Sequence, residues 1–263
     1  MRSTAIVSAM TLLSRISGFI RDMIIARFFG ADAGTDAFFV AFKIPDFLRR
    51  LFSEGAFSQA LVPVLMDYKA NASREVLEEF IGRTAGSLAF TVFVVSLIGV
   101  IAAPVLIWIF APGFAWHGEG YEMSVALLRI TVPYLFFISC TALAASLLNS
   151  FGHFAIPAIT PLLLNLCMIA AALGLAPHMD EPVFGLACGV FAAGVVQLAF
   201  QIPALHRLGL LPRLQLGFHD SSVRRIARLL LPAIFGVSVT QINLLIDTVI
   251  ASFLVSGSVS WLY

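Results

Sequence analysis

Between Ser14 and Glu54 the sequence concentrates eleven charged side chains: Arg15, Arg21, Asp22, Arg27, Asp32, Asp36, Lys43, Asp46, Arg49, Arg50 and Glu54. Their neighbours are almost all apolar. An ionised group at mid-bilayer costs roughly 2.5–3.5 kcal/mol even on the lenient insertion scale, so a membrane segment that keeps several turns them toward a wet cavity. Arginine has a particular meaning there, because its guanidinium stays protonated and offers a planar fork of donors that suits phosphate oxygens. The chemistry expected is recognition of an anion; a proton relay would want carboxylates or histidine. The competing reading is that six basic and five acidic groups pair off, Asp22 with Arg15 or Arg21 and Glu54 with Arg50, and staple two helices together. Hydrophobic packing would do that without the desolvation cost, which favours the cavity.

The rest of the chain supplies the setting. It is 60% hydrophobic and 12% charged, with a mean hydropathy of +0.97, against about a quarter charged residues in a soluble domain. This is the composition of an all-α polytopic membrane protein. The net charge of +1 gives no basis for nucleic-acid binding. Cys140, Cys167 and Cys188 stand isolated in apolar runs, so neither a disulfide framework nor a zinc site is expected. His117, His153, His178, His206 and His219 all fall in expected loops. No hydrolytic constellation and no phosphate-binding Gly-rich loop with its lysine is present, so neither enzymatic chemistry nor direct ATP use is expected. Apolar character runs on from the N-terminus into a spanning-length segment, and no cleaved signal is expected.

Spanning about 30 Å of hydrocarbon takes about 20 helical residues. Seven stretches qualify, at about Thr4–Phe29, Asp36–Leu61, Thr84–Phe110, Tyr121–Asn149, Ile156–Leu175, Val183–Leu205 and Arg224–Val255. Polar links at Asp67–Arg83 and His206–Ser222 separate the second from the third and the sixth from the seventh. Lys69, Arg74, Arg83, Arg207, Arg213, Arg224, Arg225 and Arg228 cluster in or beside these links, while the loops after the first, third and fifth stretches hold no Lys or Arg. Short loops rich in these residues stay cytoplasmic, so the N-terminus is expected inside.

At 100° per residue, Ser14, Arg15, Gly18, Arg21 and Asp22 share an arc of about 120° on the first stretch. Asp36, Lys43, Asp46, Arg50 and Glu54 share about 80° on the second, with Arg49 further round. The two stripes are expected to confront one another. An echo relates Asp22–Phe29 to Asp247–Leu254, which suggests that the seventh stretch opens a second copy of a six-helix lobe in parallel orientation. The expected division is residues 1–222 as the first lobe and 223–263 as the first helix of the second.

Ser14-Arg15-Ile16-Ser17-Gly18-Phe19-Ile20-Arg21-Asp22, Gly34-Thr35-Asp36-Ala37-Phe38-Phe39-Val40-Ala41-Phe42-Lys43 and Leu48-Arg49-Arg50-Leu51-Phe52-Ser53-Glu54-Gly55-Ala56 closely resemble the MurJ (MviN) lipid II flippases. The likeness continues through Ala111-Pro112-Gly113-Phe114, Pro157-Ala158 to Asn165, and Pro232-Ala233-Ile234 to Ser260-Trp261. The resemblance implies the multidrug, oligosaccharidyl-lipid and polysaccharide exporter superfamily. It also implies movement of an undecaprenyl-pyrophosphate-linked peptidoglycan precursor across the bacterial cytoplasmic membrane by alternating access, and a C-terminal lobe not contained here. It further implies that Arg15, Arg21 and Arg49 meet the pyrophosphate, with Asp22, Asp36, Ser14 and Glu54 in the surrounding motifs. Asp247, with Asn243 and Thr240 on the same helix face, offers hard oxygen donors of the kind a small cation prefers. The resemblance makes that cation sodium; hydration near the outer interface, or pairing with an arginine of the absent lobe, are the plainer readings of Asp247. The rival functions are export of another polyprenyl-linked oligosaccharide or of a cationic drug, and a structural membrane subunit that transports nothing.

Overall fold

The computed structural model describes residues 2–51, 57–117, 120–255 and 257–262, and the side chains of 7–50, 57–114, 120–233, 246–255 and 257–261. These residues are overwhelmingly helical and contain no strand. The chain begins with α1 (Arg2–Phe29), turns at Gly30, and enters α2 (Ala33–Leu51), whose start is fixed by Asp32 Oδ1 accepting from Thr35 N at 2.7 Å. It continues through α3 (Phe57–Asn71), α4 (Arg74–Ile101), α5 (Ala103–Phe110) and α6 (Pro112–His117). Next come α7 (Tyr121–Thr131), α8 (Tyr134–Ser150) and α9 (Ala155–Ala170), which closes in a π turn (Ala171–Leu175) and a 3-10 turn. The last three helices are α10 (Val183–Arg207), α11 (Ser221–Ala251) and α12 (Ser258–Leu262).

Among the described residues, four helical spans are both long and apolar enough to cross a bilayer: Arg74–Ile101, Tyr121–Ser150, Ala155–His178 and Val183–Arg207. They match the third to sixth expected stretches. The second and third differ from expectation in their ends. The continuous helix expected to Leu61 is instead α2 and α3, with the junction at 52–56 outside the described residues. The expected polar link Asp67–Arg83 is almost entirely helical, with Ala72 and Ser73 between α3 and α4. Polarity there marks the edge of the apolar layer and does not end the helix. Pairs one turn apart, Arg74 with Glu78 at 2.9 Å and Arg83 with Glu79 at 2.6 Å, support helical turns in water. Pro104 and Pro133 sit at the junctions that divide two of the expected spans into α4–α5 and α7–α8, because proline cannot supply the interior N–H.

Packing arranges the charges. α8, α9 and α10 pack on one another, α2 packs on α7, and α3 on α11 and α8. Gly185 and Gly189 let α10 approach the end of α9: a Cβ on them would stand 2.7 Å from Ala176 Cα and 2.6 Å from Ala171 Cβ, the close approach that small residues at four-residue spacing allow between membrane helices. One apolar core gathers Phe38, Phe42, Leu127, Leu128, Tyr134 and Leu186; a second gathers Phe57, Leu61, Leu65, Phe80, Leu147 and Leu148. The expected confrontation of the α1 and α2 stripes is not what is found, because α1 lies along α9. The partner of the first stripe is a polar residue on an otherwise apolar helix.

Candidate functional site

That residue is Asn165. Its amide Nδ2 donates to Ser14 O at 3.0 Å and to Ser17 Oγ at 2.9 Å, and its Oδ1 accepts from Arg21 Nη1 at 3.0 Å. Gly18 packs beside it, and a Cβ there would meet Asn165 Nδ2 at an ordinary contact distance of 3.5 Å. Arg21 also donates through Nε at 2.9 Å and Nη2 at 2.7 Å to Asp22 Oδ1. Three of its five N–H groups are thus committed, and the half-buried guanidinium is held from two sides. Asp22 is the more open partner, and of its two expected partners, Arg15 and Arg21, it pairs with Arg21. Asn165 is a site residue that the stripe analysis overlooks; the signal is a lone amide in the apolar run Pro161–Ala170.

On α2, Asp46 is buried and takes two arginines: Oδ1 accepts from Arg49 Nε at 2.9 Å and Nη2 at 2.7 Å, and Oδ2 accepts from Arg50 Nε at 3.0 Å. Spacings of three and four residues make this cluster a local product of the helix. Arg50 therefore pairs with Asp46, while Glu54 lies outside the described residues. Arg49 lines a cavity of about 520 Å3 bounded by α1, α2, α3, α8, α9 and α10, which also presents Thr160, Gln197 and Gln201. Arg21 thus meets α9 directly through Asn165, while Arg49 faces α9 across the cavity whose lining includes Thr160 and Leu164.

Arg15 is exposed on α1 and makes no hydrogen bond or ion pair among the described residues; Ser14 contributes its backbone oxygen to Asn165. Asp36 is elsewhere. Only 2% exposed, it accepts from Gly257 N at 2.6 Å, from Ser260 N at 2.7 Å and from Ser260 Oγ. Gly257 has φ +93°, and a Cβ there would stand 2.9 Å from Ala31 O, so the turn before α12 fits beneath the α1–α2 turn because it is glycine. Asp247 is exposed on α11 and within electrostatic reach of Lys43. The side chains of Asn243 and Thr240 lie outside the described residues, and the described residues contain no cluster of three or more His, Cys, Asp or Glu side chains able to hold a metal. A carboxylate beside a lysine does not by itself make a sodium cage.

Arg21 and Asp22 balance one another, whereas at Asp46 two guanidiniums, Arg49 and Arg50, share one buried carboxylate, which leaves a positive charge beside the cavity that Arg49 lines.

A bundle of membrane-length helices that keeps arginine and carboxylate groups inside it defines a polytopic helical membrane protein with a polar interior, the class to which membrane transporters belong. A family model described as Lipid II flippase MurJ matches residues 25–263, and the chain belongs to that family, one of membrane transporters and not of enzymes. It is 47% identical over 261 residues to the "Probable lipid II flippase MurJ" of Haemophilus influenzae, a match covering 97% of this chain and 51% of that protein. Its fold superposes on a solved "Lipid II flippase MurJ, inward closed conformation" with a TM-score of 0.81 at 26% identity, over 97% of this chain and 52% of the other. An outward-facing multidrug resistance MATE family transporter of the MOP superfamily shares the fold alone, with a TM-score of 0.62 at 14% identity over 91% of this chain and 53% of that one. The chain spans about half the length of the relatives it matches.

Proposed function

We propose that this chain forms the first lobe of a flippase that carries lipid II, or a similar polyprenyl-pyrophosphate glycolipid, from the inner to the outer leaflet of the bacterial cytoplasmic membrane. The observation that carries the reading is the pair of guanidiniums, Arg49 and Arg50, on the single buried carboxylate of Asp46 beside the cavity that Arg49 lines. A pyrophosphate diester carries two negative charges, and guanidinium forks match its oxygens. A cationic drug would meet repulsion at the same place, and a structural subunit has no use for the desolvated charge.

Arg21 and Arg49 bind the pyrophosphate and Arg15, exposed on the same helix face as Arg21, receives it. Asp22, Asp46 and Asn165 hold the guanidiniums in position, so that little rotamer entropy is lost on binding. The polyprenyl tail stays in lipid while the head group crosses. Asp36 fastens α2 to the Gly257–Ser260 turn in the geometry described. A second lobe outside this chain completes the cavity. The Lys and Arg side chains that flank α3–α4 and α10–α11 support a cytoplasmic N-terminus. Asp247 is the carboxylate proposed for a coupling sodium, with the remaining oxygens supplied beyond the described residues; a sodium response unchanged by Asp247→Asn in the whole protein would remove it.

The test of the function is complementation. The complete protein should restore growth and outer-leaflet precursor to cells depleted of their own lipid II flippase; restored abundance in the membrane with no growth would contradict it.

A further inference from the structure

The cavity beside Arg49 has a feature that anion binding does not explain. Tyr134 Oη donates to Gln197 Oε1 at 3.3 Å, Gln197 Nε2 donates to Thr160 O at 2.8 Å, and Gln201 Nε2 donates to Thr160 Oγ1 at 2.9 Å. Gln197 thereby has both ends of its amide occupied. Gln201, one turn further along α10 and 0% exposed, has its Oε1 without a partner. The other buried side-chain atoms without partners among the described residues are serine and threonine hydroxyls; Gln201 contributes the one amide. An unfilled carbonyl oxygen held rigidly in an apolar lobe is costly, and such groups in native proteins usually have a partner that is not protein.

We infer that Gln201, braced by Thr160 and Gln197, is a sugar-recognition residue: its carbonyl end is covered in this geometry and, when the cavity widens to admit the head group, it hydrogen-bonds a hydroxyl of the saccharide attached to the phosphate that Arg49 binds. This rests on the reading that the cavity takes a polyprenyl-pyrophosphate glycolipid, and it adds what discriminates the head group. A hydroxyl is the group of choice because it donates to Oε1 and would equally accept from the NH2 end if the amide turned over. The volume of about 520 Å3 lies within the range of roughly 300–1,000 Å3 typical of ligand sites. Arg49 and Gln201 line the same space, so a phosphate on the guanidinium keeps its bonded sugar within reach of the amide row. An anionic or purely apolar head group, which brings no donor, would leave Oε1 unfilled.

The experiment compares two probes on the purified whole protein in nanodiscs: lipid II, and undecaprenyl pyrophosphate, which has the same anion and tail without sugar. Gln201→Leu should weaken lipid II binding about tenfold, the size of one neutral hydrogen bond, and leave undecaprenyl pyrophosphate binding unchanged. Gln201→Met, unbranched and close in volume, should repeat the result if the leucine variant fails to accumulate. Arg49→Lys should weaken both probes. Equal weakening of both by the Gln201 variants, or no weakening of either because Oε1 is filled by water alone, overturns the inference. Failure of the unsubstituted protein to bind either probe overturns the substrate reading beneath it.

Discussion

Asp36 Oδ2 accepts the backbone N–H of Gly257 at 2.6 Å across 221 residues of chain. The same carboxylate accepts the backbone N–H and hydroxyl of Ser260 through Oδ1, so one buried side chain at the start of α2 satisfies the first turn of α12. Neither partner is predictable from the charge stripe. Placed by periodicity alone, Asp36 shares a face with Lys43, Asp46 and Arg50, yet it serves the end of the helix and not the cavity.

Removing that carboxylate orphans two backbone donors, each costing on the order of 1–3 kcal/mol when left unsatisfied. In the whole protein, Asp36→Ala should therefore accelerate amide hydrogen exchange at Gly257 and Ser260 by at least about tenfold, with α8–α10 unchanged. Unaltered exchange at both amides would show that the turn is held by other contacts.

Asn165 should behave as a positioning residue for Arg21. Its loss in Asn165→Leu removes a hydrogen bond to a charged group, worth about 1.5–3 kcal/mol, and frees the guanidinium to turn onto Asp22 alone. Transport should fall tenfold or more at unchanged membrane abundance, with the salt dependence of lipid II binding altered as the charge moves. Wild-type growth supported by Asn165→Leu would mean that Asp22 alone suffices to place Arg21.

How far the site is legible in the sequence follows from these cases. Charge in an apolar run is expensive, so the eleven charged residues between Arg15 and Glu54 stand out without any structure, whereas Arg15, Arg21 and Arg49 are singled out among them by the resemblance; Asp22 could pair with Arg15 or Arg21, and the structure pairs it with Arg21. The neighbour of α1 is not legible in the same way. Helix periodicity fixes which residues share a face but not which helix that face meets; here the hydrogen bonds of Asn165 to Ser14, Ser17 and Arg21 join α1 to α9. The α3–α4 boundary is misjudged for a related reason, because polarity reports where the membrane stops while helices continue through water. Gln201 is invisible beforehand, since a glutamine in an apolar helix looks the same whether its amide is filled or open.

Asp220 gives a prediction at the water-exposed end of the bundle. It caps α11 by accepting from Ser222 N at 2.8 Å, and it accepts from Arg83 Nη1 at 2.8 Å. Burial opposes its charge, but the Ser222 and Val223 N–H groups and the Arg83 guanidinium outweigh that and hold the carboxyl below the usual carboxylate range. Its folded pKa lies under the unfolded value of about 3.9; the stabilisation is therefore complete above that pH and is lost as pH falls through the folded value. Asp220→Ala should cost about 0.5–2 kcal/mol at neutral pH, and the difference in thermal unfolding from the unsubstituted protein should shrink below about pH 4. A difference that is constant with pH would show that the capping charge contributes nothing.

Orientation can be tested without assaying transport. With Cys140, Cys167 and Cys188 replaced, single cysteines at Asp32 and Asp180 should react with an impermeant thiol reagent added to intact cells, and those at Ser73 and Ser221 should react only after permeabilisation. The reverse pattern would place the N-terminus outside.

The central claim is that guanidinium geometry, and not merely positive charge, carries the pyrophosphate across. Its most direct test is the leaflet distribution of lipid II in cells whose sole flippase is the complete protein bearing Arg21→Lys and Arg49→Lys. Lysine keeps the charge and loses the planar fork, so the precursor should accumulate in the inner leaflet at normal protein abundance. An inner-to-outer ratio equal to that of the unsubstituted protein would contradict the account.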